Sequence, residues 1–365
     1  MKFLLLPVCF YCISCLKAGA QKRPPFQVLR FEESYEFLSD TSVKKTKLDA
    51  LKSIRVGKDN YLSIGGEINQ TFEYVSSPFA TQKEDAYWLS RVMLHANLTI
   101  KKNIRLFGEL ANGVINGRNG GARTIDKDEL YVLNLFAEWR KKNIVVRIGR
   151  QELSYGGENL ISVRNGTNVR YTFDGARLIW TKNYLTIDGF VTSYVNTKPG
   201  VFDNPVISIK DNIVWGIHIS RKKKIALPEL SMYYMGYKDP QAFYNQYKGK
   251  EYRHSVGIRY NKPNGNFNYT FAAVYQTGKA DTLKVNAFQI AIIGTYGIKK
   301  TPLKIGVNTY LSSGDKNPDD KTISSFNPYF PQQASFRGAM ATRVFPMNVA
   351  FLGPRLDINL YPFVI

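Results

Sequence analysis

The sequence predicts an all-β protein, an antiparallel β-barrel that crosses a membrane with its strands. Three observations carry that expectation. From Tyr61 onward apolar and polar residues alternate with period two through segment after segment, the spacing of strands with one face in an apolar medium and the other in a polar one. The segments approach the ten or so residues of a tilted membrane strand, and tight turns alternate with long connections between them. Beyond the first twenty residues, nothing offers the roughly eighteen consecutive apolar positions that a spanning helix needs.

Taken in order, residues 1–20 read as an export signal: Lys2, an apolar run from Phe3 to Ile13, and Ala18-Gly19-Ala20 before Gln21. The chain's three cysteines, Cys9, Cys12 and Cys15, all fall inside it, and Cys12-Ile13-Ser14 before Cys15 suits a lipoprotein signal poorly. The exported chain therefore has neither disulfides nor thiolate chemistry. Residues 21–58 form a polar periplasmic lead-in, in which FEESYEFLSD and KLDALKSI suggest short turns or a plug rather than a strand. Residues 59–365 are the barrel.

Within the barrel, Trp88, Val92, Leu94, Ala96, Leu98 and Ile100 share one face of a strand, with Arg91, His95, Asn97 and Thr99 on the other. Ile104, Leu106, Gly108 and Leu110 oppose Arg105 and Glu109; Leu133, Leu135 and Ala137 oppose Asn134 and Glu138. Val146 and Ile148 face away from Arg147, and Ala176, Leu178 and Trp180 away from Arg177. Leu185, Ile187, Gly189 and Val191 oppose Thr186, Asp188 and Thr192. Further strands are expected at 213–221, 230–237, 253–260, 267–277, 286–298, 303–311 and 349–361, roughly fourteen in all. The turns KKN at 101–103, KKN at 141–143 and TKN at 181–183 lie at one end, the periplasmic one. The long connections 76–84, 112–127, 153–172 and 197–211 lie outside or fold inward. The 23 tyrosines and 22 phenylalanines suffice for aromatic girdles, although the same rings could fill a soluble β core.

The stretch 144–180, with GRQEL, an Arg-Asn-Gly-x-Asn-x-Arg run and then FDGAR, resembles the alginate export family of outer-membrane barrels. FEESYEFLSD, YLSIGGEINQTFEY and RVMLHANLTIKKNIRLFGELANG extend the resemblance over nearly the whole exported chain, more loosely. It implies a channel in the bacterial outer membrane that passes an acidic polysaccharide. Family barrels carry more strands, whereas this sequence stops at DINLYPFVI in what reads as mid-strand. The expectation is therefore either that C-terminal strands are missing from the sequence or that the barrel is a smaller closed one.

The formal charge is +21, and loss of Lys2 and Lys17, with no acid in residues 1–20, leaves +19. Such a charge attracts polyanions; for an exported chain these are anionic glycans and lipid headgroups rather than nucleic acid. Strand parity and the resemblance together give the expected substrate pathway: Arg91, Arg105, Arg147, Arg150, Arg164, Arg170, Asp174 and Arg177, with Glu109 and Glu138 interleaved. Guanidinium groups would hold successive carboxylates of a passing uronate chain, and many weak sites would let it move on. The competing interpretation is that these arginines and acids neutralise one another and only stiffen the wall, Asp174 serving as a partner of Arg170 or Arg177.

His95, His218 and His254 are isolated on strands, and neither G-x-S-x-G nor H-E-x-x-H occurs, so no catalytic constellation is singled out and no cofactor or metal is implied. The expected partners are anionic polysaccharide or oligosaccharide, outer-membrane lipid and a periplasmic export apparatus, for a single-chain barrel. Two other functions stay open: a general or anion-selective porin, and a surface-binding barrel that conducts nothing. Loops narrowing the pore favour the exporter, a wide pore the porin, and a lumen filled by paired charges and packed loops the binding barrel.

Overall fold

The computed structural model describes residues 26–39, 43–75, 84–206, 212–221, 228–244, 247–262, 265–317, 319–332 and 348–358. The expected export signal and the connection at 76–83 lie outside the described residues. Three 3-10 turns, Arg30–Glu32, Glu36–Ser39 and Lys47–Leu51, precede the sheet, and among the described residues no strand interrupts them. The last is closed by a capping box, in which Thr46 N–H and hydroxyl both reach the Asp49 carboxylate at 2.6 and 2.9 Å.

The sheet begins with the two-residue β1 (Ile54–Arg55) and continues through β2 (Asn60–Val75), β3 (Asp85–Ile100), β4 (Ile104–Asn116), β5 (Asp128–Lys141), β6 (Ile144–Gln151), β7 (Phe173–Lys182) and β8 (Leu185–Tyr194). It goes on through β9 (Ile213–Arg221), β10 (Glu229–Tyr244), β11 (Tyr247–Lys262), β12 (Phe267–Ala280), β13 (Leu283–Gly297) and β14 (Leu303–Ser312) to β16 (Val349–Ile358). The short β15 (Thr322–Ile323) pairs in parallel with β13, and every other ladder is antiparallel in the order of the chain. Setting aside β1 and β15, fourteen long strands form the wall of a transmembrane barrel. Among the described residues no ladder joins β2 to β16.

The tight turns fix register. The first KKN turn pairs Ile100 with Ile104, the second pairs Lys141 with Ile144, and the third pairs Lys182 with Leu185. From there parity puts Val92, Leu94, Leu106, Leu110, Leu135, Ile148, Leu178 and Val191 outside, where they are exposed as side chains facing lipid must be. Phe72 and Trp88 meet at 5.2 Å near the far end of β2 and β3, and Trp139 stands outward near the turn end of β5. No helix among the described residues is long and apolar enough to cross a membrane.

Two departures from simple alternation matter for the lumen. Register slips between Glu109 and Leu110, so that Glu109 opposes Asn134 while Leu110 opposes Val132. The extra residue is Leu133, which the alternation assigned to the lipid face; the bulge turns it inside, fully buried with Met93, Tyr131 and Val169. The β10–β11 hairpin is longer than expected, and its own register shift falls between Asp239 and Ala242, around Pro240, which has no N–H to give the ladder.

β6 leaves the sheet at Gln151, and residues 152–172 fold inward instead of outward. The partners that β6 vacates are taken over by the β8–β9 connection: Leu130 pairs with Val201, Glu129 N–H reaches Pro199 O at 3.2 Å, and Phe202 N–H reaches Leu130 O at 2.8 Å. Backbone groups of the wall are thereby satisfied where a gap would otherwise open, as an apolar medium requires.

Replacing Leu94, 58% exposed at the middle of β3, by arginine is expected to destabilise the barrel by about 2–4 kcal/mol, and the same change at the inward Thr99 far less. Urea titrations of both variants refolded in lipid vesicles measure the difference.

Candidate functional site

The inner face carries the charges that alternation assigned to it, but nearly all are matched. Cross-strand register sets Arg105 opposite Glu138 and Glu138 opposite Arg147, with Arg177 next in the same row. Arg147 Nε donates to Glu138 at 2.7 Å, Arg105 lies 3.4 Å from the same carboxylate, and Arg140 Nε donates to it at 2.9 Å. Three guanidinium groups thus converge on one carboxylate, close to the short-turn end. Arg177 pairs with Asp188, which also accepts the Tyr155 hydroxyl at 2.9 Å. Arg91 pairs with Glu67 at 2.8 Å. Arg170 Nε lies 2.7 Å from Glu152, and Asn134 bridges Glu152 to Glu109 at 3.0 and 2.7 Å.

Arg150 and Asp174 form a two-pronged pair, both contacts 2.8 Å, but they do not share the face of Arg147 and Arg177. They occupy the outward parity with Leu135 and Ile148, and are buried because the β8–β9 connection covers them, Pro205 O accepting from Arg150 at 2.6 Å. This corrects the expectation that both face the pathway; they clamp the covering segment to the wall. Arg164 sits on the inward segment, its guanidinium 3.7 Å from the centre of the Tyr171 ring. No carboxylate pairs with it among the described residues.

The lumen between these groups is occupied. The inward segment crosses it: Arg91 donates to Asn165 O and Thr167 O at 2.9 and 2.8 Å, Asn168 donates to Ser90 O, Val114 O and Asp126 O, and Ser162 N–H reaches Phe330 O at 2.8 Å on the far side. Leu153, Leu160, Ile161 and Phe173 pack there with Phe190, Met235 and Phe326 into an apolar plug. The turns before the sheet fill a further part of the lumen, against β4–β6. Phe31 inserts edge-on between Phe107 and Phe136 at 5.8 and 5.3 Å, Arg147 stacks on Phe31 at 4.3 Å, and Phe31 O accepts from Arg105 at 2.6 Å. Val28 O accepts from Arg170 at 3.0 Å, and Arg30 bonds Glu67 and, at 2.8 Å, Glu33.

Several of these partners went unmarked in the sequence. The Glu138–Arg147 pair was available from the second KKN turn alone, since a turn that pairs Lys141 with Ile144 must pair 138 with 147. Glu152 and Phe31 carried no local signal, because each meets its partners through a folded loop rather than a ladder.

A barrel with an apolar exterior, charged interior rows and a segment folded into its lumen is an outer-membrane channel. The chain belongs to the alginate export family, whose profile matches residues 60–363, and it resides in the bacterial outer membrane. No curated protein matches the sequence. Similar solved structures include a BenF-like porin from Pseudomonas fluorescens Pf-5, with TM-score 0.48, 13% identity, and 70% of this chain against 68% of that one. OccK2 (OpdF) of Pseudomonas aeruginosa in complex with glucuronate gives 0.48, 12%, 70% and 65%. OccAB1 of Acinetobacter baumannii gives 0.46, 15%, 75% and 70%. The chain spans about two thirds of the length of each.

Glu33 ties the lead-in together. Burial alone would raise its carboxyl, but hydrogen bonds from Tyr35, from Arg30 and from the Gln27 N–H outweigh burial and hold it below its ordinary 4.5. A depressed folded value means that its stabilisation is complete above 4.5 and is lost as the pH falls through the folded value. The hydrogen-exchange protection of residues 27–38, measured relative to the unfolded-chain rate at each pH, is expected to hold from neutral pH down to about 4.5 and to fall below it, with Glu33→Gln less protected throughout.

Proposed function

We propose that this barrel is a conduit for an acidic saccharide, a uronate-bearing oligo- or polysaccharide of the alginate type, and that the structure is its closed state. The observation that carries this reading is the cluster at the short-turn mouth, where Arg105, Arg140 and Arg147 share the single carboxylate of Glu138. That leaves a surplus of positive charge inside a low-dielectric wall, next to the ring faces of Phe31 and Phe136 at 4.3 and 4.2 Å from Arg147. A carboxylate entering from the periplasm can take Arg105 from the carbonyl of Phe31 and compensate the surplus, which a neutral sugar cannot do. Arg177, Arg170, Arg91 and Arg164 then offer further guanidinium groups, each releasable by exchanging one carboxylate or ring for another. Exchange of partners of similar strength keeps any one site from trapping the chain. The pathway in this reading excludes Arg150 and Asp174, needs no cofactor and no catalytic group, and is formed by one chain working with periplasmic export machinery.

The filled lumen favours a second reading, a surface barrel that binds without conducting, and counts against a wide general porin. Ion selectivity of the full-length protein in planar bilayers separates them. The conduit reading expects anion-selective current, blocked by oligouronate added on the short-turn side, and a several-fold loss of selectivity in the Arg105→Gln/Arg147→Gln double variant. Absence of current from demonstrably folded protein would establish the non-conducting reading instead.

A further inference from the structure

Between the tip of the inward segment and the inner face of β9, β10 and β11 lies a cavity of about 230 Å3, lined by Ser154–Gly157 on one side and by His218, Ser220, Ser231 and Arg259 on the other. The ladder sets out its wall. Ser220, Ser231 and Arg259 are successive partners in one inward row, and His218 and Tyr233 are partners in the next. Ser220 is one residue from the end of β9, so the cavity sits at the short-turn end, further along the sheet from the Glu138 cluster on β4–β6.

Arg259 is the cation of the inward row; Arg221, which donates to Pro228 O at 3.3 Å, and Glu229 also line the cavity. The carboxylate neighbour of Arg259 among the described residues is Glu229, 3.9 Å away, and that carboxylate already accepts the Asn261 amide at 2.7 Å. Arg259 Nε is buried and donates no hydrogen bond among the described residues. Gly157 packs against Nε and keeps a ligand from it, but the Arg259 side chain is 25% exposed and makes no hydrogen bond to another described residue, so its terminal Nη groups are open to a ligand carboxylate. Gly157 is what lets the segment come so close. Its φ is +73°, and a Cβ added there would stand 2.6 Å from Arg259 Nε.

Beside the guanidinium are the hydroxyls of Ser220 and Ser231 and the ring of His218. None of the three makes a hydrogen bond to another described residue. Tyr155 and Tyr233 flank His218 at 5.2 and 6.2 Å. The space is smaller than the ~300–1,000 Å3 of a drug-sized pocket. Guanidinium groups, several hydroxyl-matching groups and the Tyr155 ring in so small a volume suit a single acid that also carries hydroxyls.

We propose that this cavity is a periplasm-facing subsite for one uronate unit, with the carboxylate on Arg259 and the ring hydroxyls on Ser220, Ser231 and His218. The inference rests on the conduit reading for its physiological meaning, placing the first recognised sugar at the periplasmic mouth, but its binding chemistry stands on the cavity itself. Titration calorimetry of the full-length, detergent-folded protein with galacturonate, galactose and acetate tests it.

Galacturonate is expected to bind saturably and more tightly than either comparison compound. Arg259→Gln is expected to weaken it by about tenfold or more, Arg259→Lys less. Ser220→Ala/Ser231→Ala should bring galacturonate down toward acetate. Lack of saturable binding by folded protein, or binding indifferent to Arg259→Gln, would overturn the assignment. The same proteins in planar bilayers keep the two readings apart: binding without current contradicts the conduit and leaves the subsite standing, whereas anion current without binding contradicts the subsite alone.

Discussion

Lipid offers no hydrogen-bond partner, and the rest of this structure follows from that constraint. Every backbone N–H and C=O in the wall must be satisfied by a neighbouring strand, so the chain runs as a continuous antiparallel ladder from β2 to β16 with its apolar parity outside. Where β6 departs early, the constraint does not lapse. The β8–β9 connection supplies the missing partners to β5, and the Arg150–Asp174 pair beneath it holds that patch in place. A charged pair on the outward parity would be costly against hydrocarbon; covered, it fastens the wall at the point where the inward segment is released.

The inner face obeys a different rule. Charges in a narrow, poorly hydrated lumen must be compensated, and the structure compensates them with cross-strand acids, with backbone carbonyls of the inward segment and with those of the lead-in. Plug and lining are therefore a single system. Arg105 holds Phe31 O, Arg170 holds Val28 O, and Arg91 holds Asn165 O and Thr167 O. In the conduit proposed above, the groups that would bind a passing carboxylate are the same groups that now hold the plug, so ligand entry and opening would be coupled through competition for shared guanidinium donors.

Much of the wall was legible in the sequence because a strand's period of two and a tight turn's register are local. Fourteen long strands, the turn end and the inward placement of Arg91, Arg105, Glu109, Glu138, Arg147 and Arg177 all follow from short windows of residues. What escaped was non-local. Leu133 looked lipid-facing until a bulge shifted the parity, and Arg150 and Asp174 looked like pathway groups because a family resemblance and a long loop converged on them, whereas parity alone already put Arg150 beside Ile148. The partners of Arg170, the seat of Phe31 and the Arg259 cavity depend on where a twenty-residue segment folds, and no pattern in that segment encodes its destination.

The proposed conduit requires the lead-in to block a cationic path, and the sequence provides the means to check this, since its three cysteines all precede residue 21. In a Phe31→Cys/Phe136→Cys double variant, which replaces two rings now 5.3 Å apart, with the thiols joined by a flexible reducible bis-thiol reagent, the decisive measurement is bilayer current before and after reductive cleavage of the linker. Little current is expected while the bridge is intact and anion-selective current once it is cleaved. Equal current in both states would show that the lead-in does not gate the lumen.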